Sequence, residues 1–415
     1  MTGRRLSVQL HGEDVGEITE QSSGRVSFRL LPEYRERTPR PVLGQKFEDD
    51  LERTYTGRRV GALPDFFANL IPEEGPLRRI LLKAMRTEDA DDLDLLAFVG
   101  HDLPGAVVVQ ADRSNDVIPD WSPPPPMAGE RPDDFAAPED LIRFSLAGVQ
   151  LKFSMLREGE LLTFPATGRG GRWIVKFPSP SLPRLPENEH AMLSWARAAG
   201  FDVAEFYLHS KEQLSGLPRR FLYGEEPVLA VRRFDRDGDR IHQEDFAQAV
   251  GLPPEQKYEH LSYEVIGRLI RRFVDDSAVD ELVKRLIFVI ASGNNDAHLK
   301  NWSIIYPDRI QAQWSPLYDQ VSTVAWPQPD RDLALKLAGV KPFRMVDRAA
   351  VRRFANRIGI AEEHTEDLAA ETLLQLGSAF AEATQVMPTS HREALKHYWD
   401  RVPLLREFGF QPSSD

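Results

Sequence analysis

Asp296, Asn301 and Asp319 are the residues of this chain whose types and spacing best suit chemistry. Asp296 and Asn301 stand five positions apart in Gly293-Asn-Asn-Asp-Ala-His-Leu-Lys-Asn-Trp-Ser303, and Asp319 follows in Pro316-Leu-Tyr-Asp. An Asp that takes a proton, with an Asn and a second Asp to hold Mg²⁺, is the minimum set for phosphoryl transfer. The same residues have an ordinary reading, because Asn and Asp favour turns. The setting argues for a site. The apolar run Leu286 to Ile290 leads into the stretch, and Trp302-Ser-Ile-Ile leaves it. Rigid apolar flanks hold polar side chains in place, as a site requires.

A second candidate is Lys176, in the otherwise apolar Arg172-Trp-Ile-Val-Lys-Phe-Pro178. A lysine in such a strand must snorkel out, pair, or hold a ligand. An amphipathic helix follows at 186–200, with Glu187 and Glu189 in its first turn. Both acids suit the helix dipole. Glu189 also has the type and place to pair with Lys176, as a strand lysine pairs with a helix glutamate in kinases.

The elements that must position these residues follow from periodicity. Residues 4–31 alternate as a strand meander, 62–98 show helical spacing, and Ala106-Val-Val-Val-Gln returns as a strand, giving a compact α+β module. Asp91, Asp92 and Asp94 read as a capped helix start rather than a metal site. Ile118-Pro-Asp-Trp-Ser-Pro-Pro-Pro-Pro-Met127 fits neither helix nor central sheet, and predicts a stiff linker. Two alternating runs flank Ala147-Gly148, and Pro227-Val-Leu-Ala-Val-Arg-Arg-Phe234 is a further strand. Residues 241–251 read as a helix ending at Gly251. From 260 onward the spacing is helical: His260 to Val274, Ala278 to Ser292, Asp347 to Ile358, Glu363 to Glu382 and Ser390 to Val402.

Composition narrows the class. The chain has 415 residues, enough for two or three domains, and its 41% apolar and 28% charged content is that of a soluble globular protein. Its formal charge of −12 argues against binding nucleic acid or anionic membrane over the whole surface. It has no cysteine, which excludes disulfides, cysteine–zinc sites and thiol catalysis. No apolar run is long enough to span a membrane, and the first residues lack the apolar stretch of a signal peptide, so a cytoplasmic location is expected.

The ordered motifs resemble those of the HipA family, the serine/threonine kinase toxins of bacterial HipBA toxin–antitoxin modules. They are Phe144-Ser-Leu-Ala-Gly-Val-Gln-Leu-Lys152, Val175-Lys-Phe-Pro178, Asn188-Glu-His190, Arg233-Phe-Asp-Arg236, His242-Gln-Glu-Asp-Phe246, Lys257-Tyr258, the stretch 293–303, and Pro316-Leu-Tyr-Asp319. Leu63-Pro-Asp-Phe-Phe-Ala-Asn-Leu-Ile-Pro-Glu73 and Asp94-Leu-Leu-Ala-Phe-Val-Gly100 resemble the family's N-terminal part. The motifs stand in family order over nearly the whole chain.

The resemblance implies an α+β, two-lobed protein-kinase-like fold. It would have a small N-terminal α/β subdomain (1–111), a linker (112–139), a strand-rich nucleotide-binding lobe (140–238) and an all-helical catalytic lobe (239–415). It implies ATP and Mg²⁺. Asp296 would be the catalytic base, with His298 and Lys300 neutralising charge on the moving phosphoryl group; Asn301 and Asp319 would hold the metal. Lys176 would contact the α- and β-phosphates, and Ala147, Gly148, Val149, Gln150, Leu151 and Lys152 would form the loop over them. Backbone groups of Arg232, Arg233 and Phe234 would hold adenine, and Gln243 and Tyr318 would line the nucleotide. Arg232 departs from the family, which often has an acid there. Ser145 matches the family's autophosphorylation serine, and a phosphate there would switch the kinase off.

The implied partners are a HipB-like helix-turn-helix antitoxin, DNA only through it, and a protein substrate such as an aminoacyl-tRNA synthetase, whose phosphorylation would inhibit translation and promote persistence. A catalytically silent pseudokinase corepressor, or a small-molecule or lipid kinase, would use a similar loop.

Overall fold

The computed structural model describes residues 3–85, 90–111, 151–164, 170–217, 221–222, 224–259, 261–327 and 332–412. The proline-rich linker, Ser145 and the loop residues Ala147, Gly148, Val149 and Gln150 lie outside them. The chain divides into two compact units. One joins Met1–Phe177, His209–Pro254 and Ile305–Ile310; the other joins Pro178–Leu208, Glu255–Ile304 and Gln311–Asp415.

The first unit opens with an antiparallel sheet. Its strands are β1 (Arg5–Leu10), β2 (Glu13–Glu20), β3 (Val26–Leu30), β4 (Tyr55–Thr56) and β5 (Val107–Ala111), in the order β4-β3-β2-β1-β5. Alternation in β1 puts Leu6, Val8 and Leu10 in the core. The β1–β2 turn is His11-Gly12, both at positive φ (53° and 82°), the twist that suits a tight hairpin. Phe28 packs its ring on Phe47 and Phe67, with centroids 5.1 and 4.8 Å away. Asp91 caps the helix Asp92–Val99, accepting from the Asp94 N–H in a reciprocal capping box. Arg4 pairs with Glu20, Asp91 and Asp94. The acidic cluster is thus a helix start, as its sequence reads.

The second sheet of this unit sets β6 (Lys152–Glu158) between β7 (Leu161–Thr163) and β8 (Trp173–Lys176). Leu214–Ser215 runs parallel to β7, and Val228–Arg232 pairs antiparallel with β8. Phe153, Met155 and Val175 are fully buried.

Residues 241–251, whose spacing predicts one helix, form a strand, His242–Asp245, and then a short helix, Phe246–Val250. Asp245 caps that helix through the Gln248 N–H at 2.8 Å, and Gly251 ends it at φ 71°. The acids that look like a helix's first turn therefore lie before it.

The second unit is built on helices Leu185–Ala198, Tyr263–Phe273, Ser277–Ser292, Arg348–Ile358, Glu362–Ala383 and Thr389–Trp399. Trp195 lies at its centre, against Phe288 and Phe380, and donates its indole N–H to the Leu376 carbonyl at 2.8 Å. The all-helical expectation for 239–415 fails in several places, since His242–Asp245, Ser303–Tyr306, Gln313–Trp314 and Asp332–Leu337 are strands. Asp332–Leu337 pairs antiparallel with Val340–Pro342 across Ala338-Gly339, whose φ values are 50° and 88°. Leu333, Ala334, Leu335 and Leu337 are buried and Lys336 is exposed. Among the described residues no helix is long and apolar enough to cross a membrane.

Candidate functional site

The polar stretch of the second unit is a loop pinned at both ends. The helix Ser277–Ser292 ends at Gly293, whose φ of 61° is the left-handed conformation that suits glycine. Its last turn leaves orphan carbonyls. Tyr398 donates its hydroxyl to Ile290 O and Trp399 its indole N–H to Ala291 O, both at 2.7 Å. Thr323 grips the next step: its hydroxyl donates to Gly293 O and accepts from Asn295 N, each at 2.8 Å.

Asp296 is held by its backbone. Fully buried Asn294 accepts the Asp296 N–H at 3.0 Å, and Asn301 donates its side-chain amide to the Asp296 carbonyl at 2.7 Å. The five-residue spacing therefore closes a ring in which Asn301 fixes Asp296. The Asp296 side chain stays half-exposed, at 51%. His298 Nε2 lies 3.9 Å from Asp296 Oδ1, and Tyr258 donates its hydroxyl to that same oxygen. His298 and Lys300 are buried on the same loop. The carbonyl of Ala297 accepts from the Tyr263 hydroxyl and the Trp302 indole.

Asp319 is tied to this loop through its neighbours. The Tyr318 hydroxyl donates to Lys300 O at 2.8 Å and lies 2.5 Å from the Ser303 hydroxyl. Gln320 donates to Tyr318 O at 2.8 Å. Asn188, fully buried, accepts from Ser322 N at 2.8 Å and donates to Ser322 O. Asp319 itself has φ 50°, rare for a residue with a Cβ, and such backbone outliers concentrate at functional positions.

Asn301 and Asp319 fit a magnesium ion in kind. The Asn301 amide nitrogen is spent on Asp296, which leaves its oxygen as the ligand atom. That oxygen and a carboxylate are hard donors, and Mg²⁺ takes few protein ligands, filling its shell with water and phosphate oxygens. Among the described residues no group of three or more His, Cys, Asp or Glu is placed to hold a metal.

In the first unit, Lys176 pairs with Lys152 directly across β6 and β8, so both lysines stand on one face of the sheet. Both are buried, at 5% and 8% exposure. Leu151, just before β6, accepts from the Phe177 N–H.

The expected adenine-holding segment has a more mixed role. Arg232 ends its strand opposite Trp173 and reaches out to Asp237 at 2.9 Å. Arg233 spends its backbone N–H on Arg172 O. Its guanidinium lies in a buried network with Asp235 at 2.8 Å and Asp102 at 3.2 Å, and Arg236 joins both acids at 2.8 and 3.0 Å. Gly105 N and Gly170 N donate to Asp235 and Asp102. The arginines hold both carboxyls below the usual range against the cost of burial.

The motif His242-Gln-Glu-Asp-Phe246 serves the same join. His242 Nε2 donates to Leu43 O at 2.8 Å, and burial lowers its pKa to about 4. Glu244 accepts from Gln45 N at 2.9 Å and from the Tyr306 hydroxyl at 2.5 Å, and burial pushes it up to about 8. Gln243, between them on the opposite side of the strand, keeps a buried amide oxygen without a hydrogen-bond partner among the described residues.

Sequence reasoning reached the loop but missed Tyr258, Asn294, Thr323 and Asn188 as its supports. Tyr258 and Asn188 stand in the sequence only as letters of motifs, and no spacing rule links them to Asp296 or Ser322.

Comparison with known proteins bears on the family. The chain matches the HipA N-terminal domain over residues 6–110 and the HipA-like C-terminal domain over 144–380. It is 37% identical to the candidate kinase Y4dM of Sinorhizobium fredii over 97% of this chain and 98% of that one. It is 24% identical to the serine/threonine-protein kinase toxin HipA of Shewanella oneidensis over 69% and 68% of the two chains. Among solved structures, HipA from the S. oneidensis HipA–HipB–operator DNA complex superposes with a TM-score of 0.71 at 19% identity, covering 95% of this chain and 94% of that one. With both family domains matched in order across the described fold, the chain belongs to the HipA family.

Proposed function

We propose that this protein is an ATP-dependent protein serine/threonine kinase. The observation that carries the proposal is Asp296. Its backbone is fixed on both sides by Asn294 and Asn301, and its carboxylate stays half-exposed on a loop that also presents His298, Lys300 and Asn301.

In this reading an acceptor serine gives its proton to Asp296. Its oxygen forms a bond to the γ-phosphorus. The bond from that phosphorus to the bridging oxygen breaks, and the electron pair leaves with ADP. His298 and Lys300 counter charge on the transferring group. By the family resemblance, Lys176 would contact the α- and β-phosphates and Gln243 would line the nucleotide. Asn301 and Asp319 would hold Mg²⁺, which would neutralise charge on the phosphates.

Family membership supports a toxin role, a HipB-like antitoxin partner through which DNA is reached, and an aminoacyl-tRNA synthetase as the class of target. It also supports silencing by phosphorylation of Ser145, which would add about −1.5 to −2 charges beside the phosphate loop.

The test is incubation of the purified protein with ATP and Mg²⁺, followed by intact mass and phosphosite mapping, with Asp296→Asn alongside. One added phosphate on Ser145 in the wild type, absent in the variant, is the expected result. No phosphate on the protein or on added synthetases, and no loss of ATP, would overturn the reading.

A further inference from the structure

Asp296 is fixed at three of its polar groups. Asn294 takes its N–H, Asn301 its carbonyl, and the Tyr258 hydroxyl donates to Oδ1. The first two set the backbone; the third sets the side chain. A carboxylate bound only through its backbone can still turn about its last two bonds, and each turn moves the oxygen that must receive the proton. With Oδ1 held by the phenol, Oδ2 is the oxygen left to the acceptor.

Tyr258 is itself positioned for this task. The carbonyl of Lys257 accepts the Leu299 N–H, which sews the turn carrying Tyr258 to the catalytic loop. The Tyr258 ring meets the His298 ring edge to face, with centroids 4.9 Å apart. The tyrosine is 41% exposed, so core packing does not account for its place.

We infer that Tyr258 is a positioning residue for the phosphoryl-transfer step: its hydroxyl holds Oδ1 of Asp296 so that Oδ2 faces the acceptor hydroxyl. The inference rests on the kinase reading of Asp296. A small misplacement of a reacting group costs up to about 10²-fold in rate, which sets the scale of the effect. Nucleotide affinity should not change on loss of the hydroxyl alone, because the hydroxyl bonds Asp296 and the ring's contact with His298 is kept.

The experiment compares wild type with Tyr258→Phe, which removes one oxygen and keeps the ring against His298. Phosphorylation rate at saturating ATP, KM for ATP, ATP affinity by titration, and the thermal midpoint are measured on both, with Asp296→Asn as the inactive control. The expected result is a kcat lowered roughly ten- to a hundredfold, with KM for ATP, ATP affinity and thermal midpoint unchanged. An unchanged kcat would overturn the inference. So would a raised kcat, which would make the phenol a plug on the base. So would a fall in kcat matched by a fall in ATP affinity or midpoint, which would make Tyr258 merely structural. If wild type itself transfers no phosphate, the kinase reading has failed, and that outcome is distinct from a wild type that is active and indifferent to Tyr258.

Discussion

Asn294 has no exposed surface, yet its amide decides where a half-exposed aspartate stands. Buried polar groups of this kind cost energy unless satisfied, and once satisfied they specify one geometry. Asn294→Ala would leave the Asp296 N–H without its acceptor and let the loop drift, so transfer should fall while the fold survives; activity against circular dichroism checks both. On the proposed kinase reading, Asp296→Asn keeps the shape and removes the proton-accepting carboxylate. Its rate should fall by roughly 10²–10⁴-fold with ATP binding retained, read by single-turnover transfer beside nucleotide titration. Equal activity in the two proteins would remove Asp296 from the chemistry. The local part of this arrangement was legible in sequence, since Asp296 and Asn301 close a ring within one loop. Its supports were not. Tyr258 lies 38 positions from Asp296, and Asn188 lies 134 from Ser322. Periodicity describes an element's own faces and holds no information on which distant side chain meets it.

Gly293 shows how an element's end sets a site. A Cβ there would stand 2.7 Å from Val324 Cγ2, on a backbone at φ 61°. Strain and clash each cost of order 1–3 kcal/mol. Gly293→Ala should lower the denaturation midpoint and, by shifting Asn294, lower activity more than stability alone explains. Helix positions from 263 onward were readable because their apolar spacing is long and regular. The strand His242–Asp245 was not, because its acids imitate a helix's first turn; tertiary bonds to Leu43 and Gln45 decided it. The same holds for Arg233-Phe-Asp-Arg236. Its letters read as hinge, while its side chains are committed to Asp102, more than a hundred positions away. Asp102→Asn would leave buried guanidinium charge poorly compensated, a loss of about 3–5 kcal/mol when one partner of a buried pair is removed. Equilibrium denaturation with and without ATP would read it. A midpoint equal to wild type would show the network to be dispensable.

At the scale of the first unit, the residues matched to the HipA N-terminal domain and the strands bearing Lys152 and Lys176 share one compact body, joined by buried polar groups rather than by apolar packing alone. Such joins respond to pH. Glu244 has its pKa raised by burial to about 8 from an ordinary 4.5. The folded protein then holds a proton that the unfolded chain has released across this interval, so stability from this group is full below the unfolded value and declines as pH rises toward 8. His242 acts on the acid side. Its folded pKa of about 4, below the ordinary 6.5, makes its contribution fall as pH drops through that range. Glu244→Gln removes the first slope and leaves the second. Measured from pH 5 to 8, the wild-type thermal midpoint should lose ground to Glu244→Gln as pH rises, by a few degrees at the upper end. Parallel curves would mean that Glu244 is ionised in the fold throughout, carried by the Gln45 N–H and the Tyr306 hydroxyl that point at it.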